Sequence, residues 1–299
     1  MGDTMIWQGE RTYLAQLGKK VGYETDIARF SAAALEKFAP ESPILLHGGG
    51  NFGDMWPEFQ NFREMIIQSY PGQRIVQLPQ TIQFSTLEKA ARANEIFGAH
   101  KDFVLLLRDQ RSVDYARNYL PSVRIRFCPD MALGLDVPVP RYRGTEDQRI
   151  LALGRTDHER AHNISVLVND TCDWNISGAS NFRWKISRIP GSIARRYKSD
   201  RVSIGLYRLI SAGNDQMRST NISSGIHLIT RGSILITDRL HAHVLAGLLG
   251  IPHIVLDNNY GKISSIYHEY SGKFETAHFA KDIDEAARML EELSRVGAS

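Results

Sequence analysis

SILITDRLHAHVLAGLLGIPHIVLD, residues 233–257, reads as a complete strand–helix–strand unit. SILITD (233–238) and PHIVLD (252–257) are short, nearly continuous apolar runs, as strands buried on both faces require. HAHVLAGLLG (241–250) between them is a helix closed by Gly250. Parallel strands joined by a helical crossover build a sheet covered by helices, and its ligands gather at the carboxyl ends of the strands. Asp238, Arg239 and His241 stand at that end of the first strand, where the helix opens. A helix N-terminus leaves N–H groups unpaired and carries the positive end of the dipole, so it favours an anion. Arg239 adds a forked donor suited to a carboxylate or phosphate, and His241 a group that moves a proton near neutral pH. The plain structural alternative is an Asp238–Arg239 pair with His241 as a cap.

The same grammar extends through the chain. ILLHGG (44–49), RIVQLPQ (74–80), DFVLLLRD (102–109) and VRIRFCPD (123–130) are predicted strands, with helical spacing over 58–70, 85–98 and 111–120. VPVPRYRGTEDQ (137–148) has the prolines, glycine and charges of a linker, after which RILALGRTDHE (149–159) restarts the pattern. VSIGLYRLISAG (202–213) and NISSGIHLITRG (221–232) are predicted as two further helices, and 160–200 is too irregular to assign. The expectation is an α/β protein of two Rossmann-like domains, residues 1–143 and residues 144–299.

Composition agrees. At 299 residues, 42% hydrophobic and 23% charged, the chain is neither disordered nor a small stapled scaffold, and no apolar run approaches the ~20 residues of a membrane helix. The first twenty residues lack the order of a signal peptide, so a cytoplasmic protein is expected. Cys128 and Cys172 have no zinc-ribbon spacing and are expected as core fillers. A net charge of +3 does not argue for nucleic acid but suits an anionic ligand or membrane surface. Residues 183–208 hold eight Lys or Arg against the single acid Asp200, to be weighed against a merely solvated face.

Three further patterns bear on chemistry. GGGNFG (48–53) formally matches a dinucleotide-binding loop, but the next strand ends in VQLPQ without the acidic residue that holds a ribose. Its glycines fit close backbone approach better, and Asp54 and Trp56 follow them, Asp54 alternatively capping the next helix. HERAH (158–162) formally matches a zinc-protease helix, yet abuts a strand and lacks a downstream glutamate as third ligand, which leaves a zinc metallohydrolase as a remote alternative. GRTDHE (154–159) places Arg155, Asp157 and Glu159 at another strand end, and Asp54, Arg155, Arg239 and His241 are expected to share one interdomain cleft.

HGGGNFGDMWP (47–57), LPQTIQF (78–84), LLRDQRSVDYA (106–116), CPDMALGL (128–135), LGRTDHE (153–159) and TDRLHAHVLAGLLGIPHIVLDNNYGKI (237–263) together resemble the polysaccharide pyruvyl transferase family, in the family's order, over about residues 44–270. The resemblance implies a glycosyltransferase-B-like pair of lobes with the site between them. It implies transfer of the enolpyruvyl carbons of phosphoenolpyruvate to a sugar, usually as a cyclic ketal, in exopolysaccharide or capsule assembly. Phosphoenolpyruvate is a co-substrate, and no metal or organic cofactor is implied. Matched motif by motif, it assigns phosphoenolpyruvate to Arg155, Arg239, Leu240 (through its backbone), His241 and Lys262. The acceptor side takes Asn51, Asp54, Trp56 and Gln80, and the proton-handling pair is Asp54 and His241, in either order. The implied partners are a sugar or lipid-linked oligosaccharide and the inner face of the cytoplasmic membrane. Two competing classes stay open: a nucleotide-sugar glycosyltransferase of the same architecture and a non-catalytic anion or glycan sensor.

Overall fold

The computed structural model describes residues 1–137, 149–155, 161–168, 170–172, 174, 178–197, 199–257 and 261–296. In chain order the elements are α1 (Gly2–Gln16), α2 (Ala32–Phe38), β1 (Ile44–Leu46), β2 (Gly49–Phe52), α3 (Pro57–Ser69), β3 (Ile75–Ile82), α4 (Leu87–Gly98), β4 (Phe103–Leu107), α5 (Gln110–Tyr119) and β5 (Ile125–Phe127). They continue as β6 (Ile150–Leu153), β7 (Thr171–Cys172), α6 (Gly178–Ser187), α7 (Ile189–Tyr197), α8 (Asp200–Ile229), β8 (Ile234–Thr237), α9 (Leu240–Leu248), β9 (His253–Leu256), α10 (Lys262–Glu269), β10 (Ala277–Ala280) and α11 (Ile283–Val296).

Two compact units result, each discontinuous in sequence. One holds residues 6–131 with 178–220, the other residues 1–5, 132–177 and 221–299. The boundary expected between 143 and 144 lies outside the described residues. That residues 178–220 return to the first unit is invisible to a linear reading, because the packing surface there is made by residues some 170 positions away.

In the β1–β5 unit the path β1-β3-β4-β5 is parallel throughout and β2 joins β3, also in parallel. The predicted strand 44–49 is in fact two. β1 stops at Leu46 and β2 begins at Gly49, because His47 and Gly48 are held by side chains instead of the ladder, as described below. The core is Phe52, Ile66, Ile75, Phe97, Phe103, Leu105 and Leu107, with the Phe52, Phe97 and Phe103 rings packed in series 5.4 and 5.0 Å apart. The helix starts are set locally: Thr86 and Asp109 accept from the N–H groups of Lys89 and Ser112, caps worth about 1 kcal/mol each.

The β6–β10 unit carries a second parallel sheet, ordered β10-β9-β8-β6-β7. Every residue of β8 and β9 is buried, as their unbroken apolar runs require. The two helices expected at 202–213 and 221–232 are one 30-residue helix, α8. The polar stretch Asn214–Asn221 lacks any helix breaker, so propagation continues where the reading of turn residues placed a stop. The irregular 160–200 region supplies α6 and α7. Cys128 and Cys172 are free thiols, half-buried and not in the core.

Candidate active site

Two clusters stand at strand carboxyl ends, one in each unit. In the β6–β10 unit, the Thr237 hydroxyl donates to Leu153 O of β6 at 2.7 Å and accepts from Arg239 N at 3.1 Å, so one side chain locks the end of β8 to its neighbour and to the turn into α9. Asp238 is fully buried and its Oδ1 accepts the Arg155 N–H at 2.8 Å. Burial raises the Asp238 carboxyl above its ordinary range, against the Arg155 N–H bond and the positive charges of Arg239 and Arg155. Arg239 is the N-cap residue of α9 in extended conformation, and its Nε donates to Gly154 O at 3.0 Å. The first intrahelical bond is made by Ala242 N to Arg239 O, so the N–H groups of Leu240 and His241 precede the helical ladder. A Cβ on Gly2 would stand 2.4 Å from His241 Nδ1, so the start of α1 closes on that ring and has no room for a side chain.

Arg155 at the end of β6 thus stands beside Asp238, Arg239, Leu240 and His241 at the end of β8 and the start of α9. The Asp238–Arg239 alternative is replaced by Asp238 bracing the Arg155 backbone, and the cap position belongs to Arg239, not His241. Lys262 opens α10, whose first turn is held by Asp257 Oδ1 accepting from Ile263 N at 3.1 Å; its side chain lies outside the described residues. Asp157, His158 and Glu159 lie outside them too. His162 precedes a 3₁₀ turn at Ile164–Val166 and is not helical, and no group of three His, Cys, Asp or Glu among the described residues is arranged to hold a metal ion.

In the β1–β5 unit the glycine-rich segment is a strand, β2, and not a phosphate-binding turn into a helix. Gly53 has φ 121° and a Cβ there would come within 1.8 Å of Gln83 O, so close backbone approach accounts for this glycine. Gln80 is fully buried. Its Oε1 accepts from Asn51 N at 3.0 Å and its Nε2 donates to His47 O at 2.9 Å and Asn51 Oδ1 at 3.2 Å, so it braces the loop and its amide is not presented to a ligand. Gln77 donates to Leu46 O and His47 O in the same way. Asn51 is held in turn by Arg63, whose guanidinium donates to Asn51 O, Asn51 Oδ1 and Gln77 Oε1 and lies over the Phe52 ring. Burial pulls Arg63 down to about 9, and the acceptors of these bonds are all neutral.

Asp54 does not cap α3, whose N-cap is Trp56 without a side-chain bond. Its carboxylate accepts from Ser85 N at 2.6 Å, from the Ser85 hydroxyl and from Lys89 Nζ at 2.6 Å. Burial alone would raise its pKa, but the bonds from Lys89 and Ser85 outweigh it and bring the carboxyl to about 2. Trp56 is exposed, its ring available to a ligand.

The sequence reading missed a histidine–carboxylate pair beside this loop. His47 Nδ1 lies 2.8 Å from Glu10 Oε2, the other Glu10 oxygen accepts Gly48 N at 2.8 Å, and the His47 side chain is 43% exposed while that of Glu10 is 8% exposed. A carboxylate at Nδ1 orients the ring and favours the tautomer with its proton on that nitrogen, the arrangement found behind a general-base histidine. The only signal was a histidine opening the glycine-rich segment, and its partner stands 37 positions upstream. Two further motif groups are held within the fold. Arg108 and Asp130 form a buried ion pair at 2.5 Å, and Asp109 accepts from Thr81 Oγ1 at 2.9 Å. Truncating one member of such a pair costs about 3–5 kcal/mol.

The model of a known family, polysaccharide pyruvyl transferase, matches residues 1–260. The chain belongs to the polysaccharide pyruvyl transferase family. A Bacillus subtilis protein named pyruvyl transferase EpsO is 29% identical over 271 residues, covering 90% of this chain and 81% of that one. Pyruvyl transferase 1 of Schizosaccharomyces pombe is 28% identical over 281 residues, 89% of this chain and 65% of its own length. A crystal structure of an uncharacterized Klebsiella pneumoniae protein superposes with a TM-score of 0.55 at 20% identity, over 94% of this chain and 88% of that one, which speaks for the α/β fold alone.

Proposed function

We propose that the protein moves the enolpyruvyl carbons of phosphoenolpyruvate onto two hydroxyls of a sugar in an exopolysaccharide or capsule repeat unit, lipid-linked at the cytoplasmic face, forming a pyruvate ketal and releasing phosphate. The observation that carries this reading is the end of β8, where Arg155, held through its backbone by Asp238, stands with Arg239 and the opening N–H groups of α9, residue types suited to a ligand with both a carboxylate and a phosphate. The fold class assumed is two Rossmann-like units of the glycosyltransferase-B-like kind, divided as acceptor side and phosphoenolpyruvate side.

The chemistry balances without a redox or metal step. C3 of phosphoenolpyruvate takes a proton and the first sugar hydroxyl adds to C2 through an oxocarbenium-like state, losing its own proton to a base. The C2–phosphate bond then breaks as the second hydroxyl attacks, and that hydroxyl's proton leaves with the phosphate. His241 faces the donor end and supplies the C3 proton or meets the phosphate. On the acceptor side Asp54, ionised and held by Lys89 and Ser85, orients the sugar, because a carboxylate with a pKa of about 2 is a weak base at neutral pH. His47, set by Glu10, accepts the hydroxyl proton. Trp56 offers its face to the sugar ring.

Thermal-shift titration with phosphoenolpyruvate, beside pyruvate, phosphate and uridine diphosphate, tests the donor. At 100 times its dissociation constant the ligand stabilises the native state by about 2.7 kcal/mol. The shift is expected with phosphoenolpyruvate and lost in Arg239→Ala. A shift with uridine diphosphate instead selects a nucleotide-sugar enzyme, and binding without phosphate release in the presence of any sugar acceptor selects a sensor.

A further inference from the structure

The amphipathicity of α7 is reversed. It buries its small residues, Gly191 and Ala194, and displays its large ones, Ile189 (53% exposed), Ile193 (40%) and Tyr197 (65%), which are spaced four apart and so share one face. On α6 the pair Phe182 (66%) and Ile186 (49%) has the same spacing. The orientation is imposed from inside, because a Cβ on Gly191 would stand 2.4 Å from Arg29 Nη1, so this position faces the unit as glycine. A helix serving only its own core turns its isoleucines inward.

The charges on the same two helices are equally one-sided. Arg183, Lys185, Arg188, Arg195 and Arg196 are all exposed, and none has a carboxylate partner among the described residues. From 174 to 199 the sequence contains no acid. A second copy of the chain does not suit this face, since a two-fold contact would set five unpaired cations against five. Large apolar side chains flanked by Lys and Arg are instead the pattern of a helix lying in a membrane interface.

We propose that α6 and α7 are an interfacial anchor that docks the β1–β5 unit on an anionic phospholipid bilayer, with Phe182, Ile186, Ile189, Ile193 and Tyr197 at the headgroup–acyl boundary and the five cations on lipid phosphates. Among the described residues no helix is long and apolar enough to cross a membrane, so the contact is peripheral. It does not rest on the transferase reading, and its test uses no turnover.

The test is cosedimentation of the full-length protein with vesicles of phosphatidylglycerol and phosphatidylcholine, against phosphatidylcholine alone, for wild type, I189S/I193S and R195E/R196E. Wild type is expected on the anionic vesicles only, less so as salt rises. Each interfacial cation strengthens partitioning roughly fivefold, so R195E/R196E should bind at least ~30-fold more weakly. I189S/I193S should lose about tenfold or more through its apolar area. F182W should show a blue-shifted emission on anionic vesicles while keeping the wild-type melting temperature. Equal binding to neutral vesicles, no binding, or variants that bind like wild type would overturn the proposal. So would a wild-type dimer that I189S/I193S dissolves.

Discussion

Asp54 and His47 stand seven residues apart in the chain and have opposite environments. Asp54 accepts three bonds, one of them from an ammonium, and stays ionised throughout the working pH range, whereas His47 has a carboxylate behind it and much of its ring in solvent. The hydroxyl proton of the acceptor is therefore expected to go to His47. His47→Asn should lower kcat by about 10²–10⁴-fold while the phosphoenolpyruvate-induced thermal shift persists, and Glu10→Gln should lower it less by loosening the tautomer. Steady-state phosphate release with a competent acceptor measures this; wild-type kcat in His47→Asn would return the base role to Asp54. A residue type and a neighbouring glycine run were legible at position 47. The role was not, because it depends on Glu10 from another element.

At the scale of elements, α9, β9 and the turn at Ser271 share a buried chain of hydrogen bonds. Ser271 Oγ donates to His243 Nε2 at 2.8 Å, His243 Nδ1 to His253 Nε2 at 2.7 Å, and His253 Nδ1 to Ile251 O at 2.7 Å. This direction works only if both rings are neutral, with the proton on Nδ1. Burial lowers His243 to about 3, with His253 adding to it, and lowers His253 to about 4, against its bond to Ile251 O. The unfolded chain takes up these protons near pH 6.5, the folded chain only near 3–4. Stability contributed by the neutral pair is thus full above about 6.5 and falls as pH drops below it, by about 1.4 kcal/mol per unit for each ring. Two of the ten histidines should remain untitrated at pH 5 in ring-proton spectra, while urea midpoints fall steeply between pH 6.5 and 4. If all ten titrate near 6.5, the pair is not neutral by burial. The periodicity of 241–250 announced a helix; that it presents His243 to His253 is a consequence of how α9 packs on β9.

For the whole molecule, the return of residues 178–220 to the β1–β5 unit matters most. Asp200 accepts from Ser31 Oγ at 2.6 Å, and Tyr207 OH accepts from Glu24 N at 3.0 Å and donates to Gly22 O at 3.1 Å, with its ring stacked 4.5 Å from Phe38. A fragment of residues 1–143 loses these partners and is expected to unfold in a broad, weakly cooperative urea transition. A sharp transition at the full-length midpoint would show that the linear half is self-sufficient. Apolar runs bounded by turns determined the parallel α/β architecture and the strand ends that carry Arg155, Arg239, His241 and Asp54, and the ordered set of six motif segments carried the resemblance to the family, since each is a local pattern written in consecutive residues. Only the tertiary structure decided that α8 is one helix, that 178–220 belongs with 6–131, that Gln80 braces a loop, that Glu10 serves His47, and that α7 turns its isoleucines outward. Each of those depends on what a side chain meets across the fold, and burial, ion pairing and hydrogen bonding act through space, where neighbours in the chain carry no record of them.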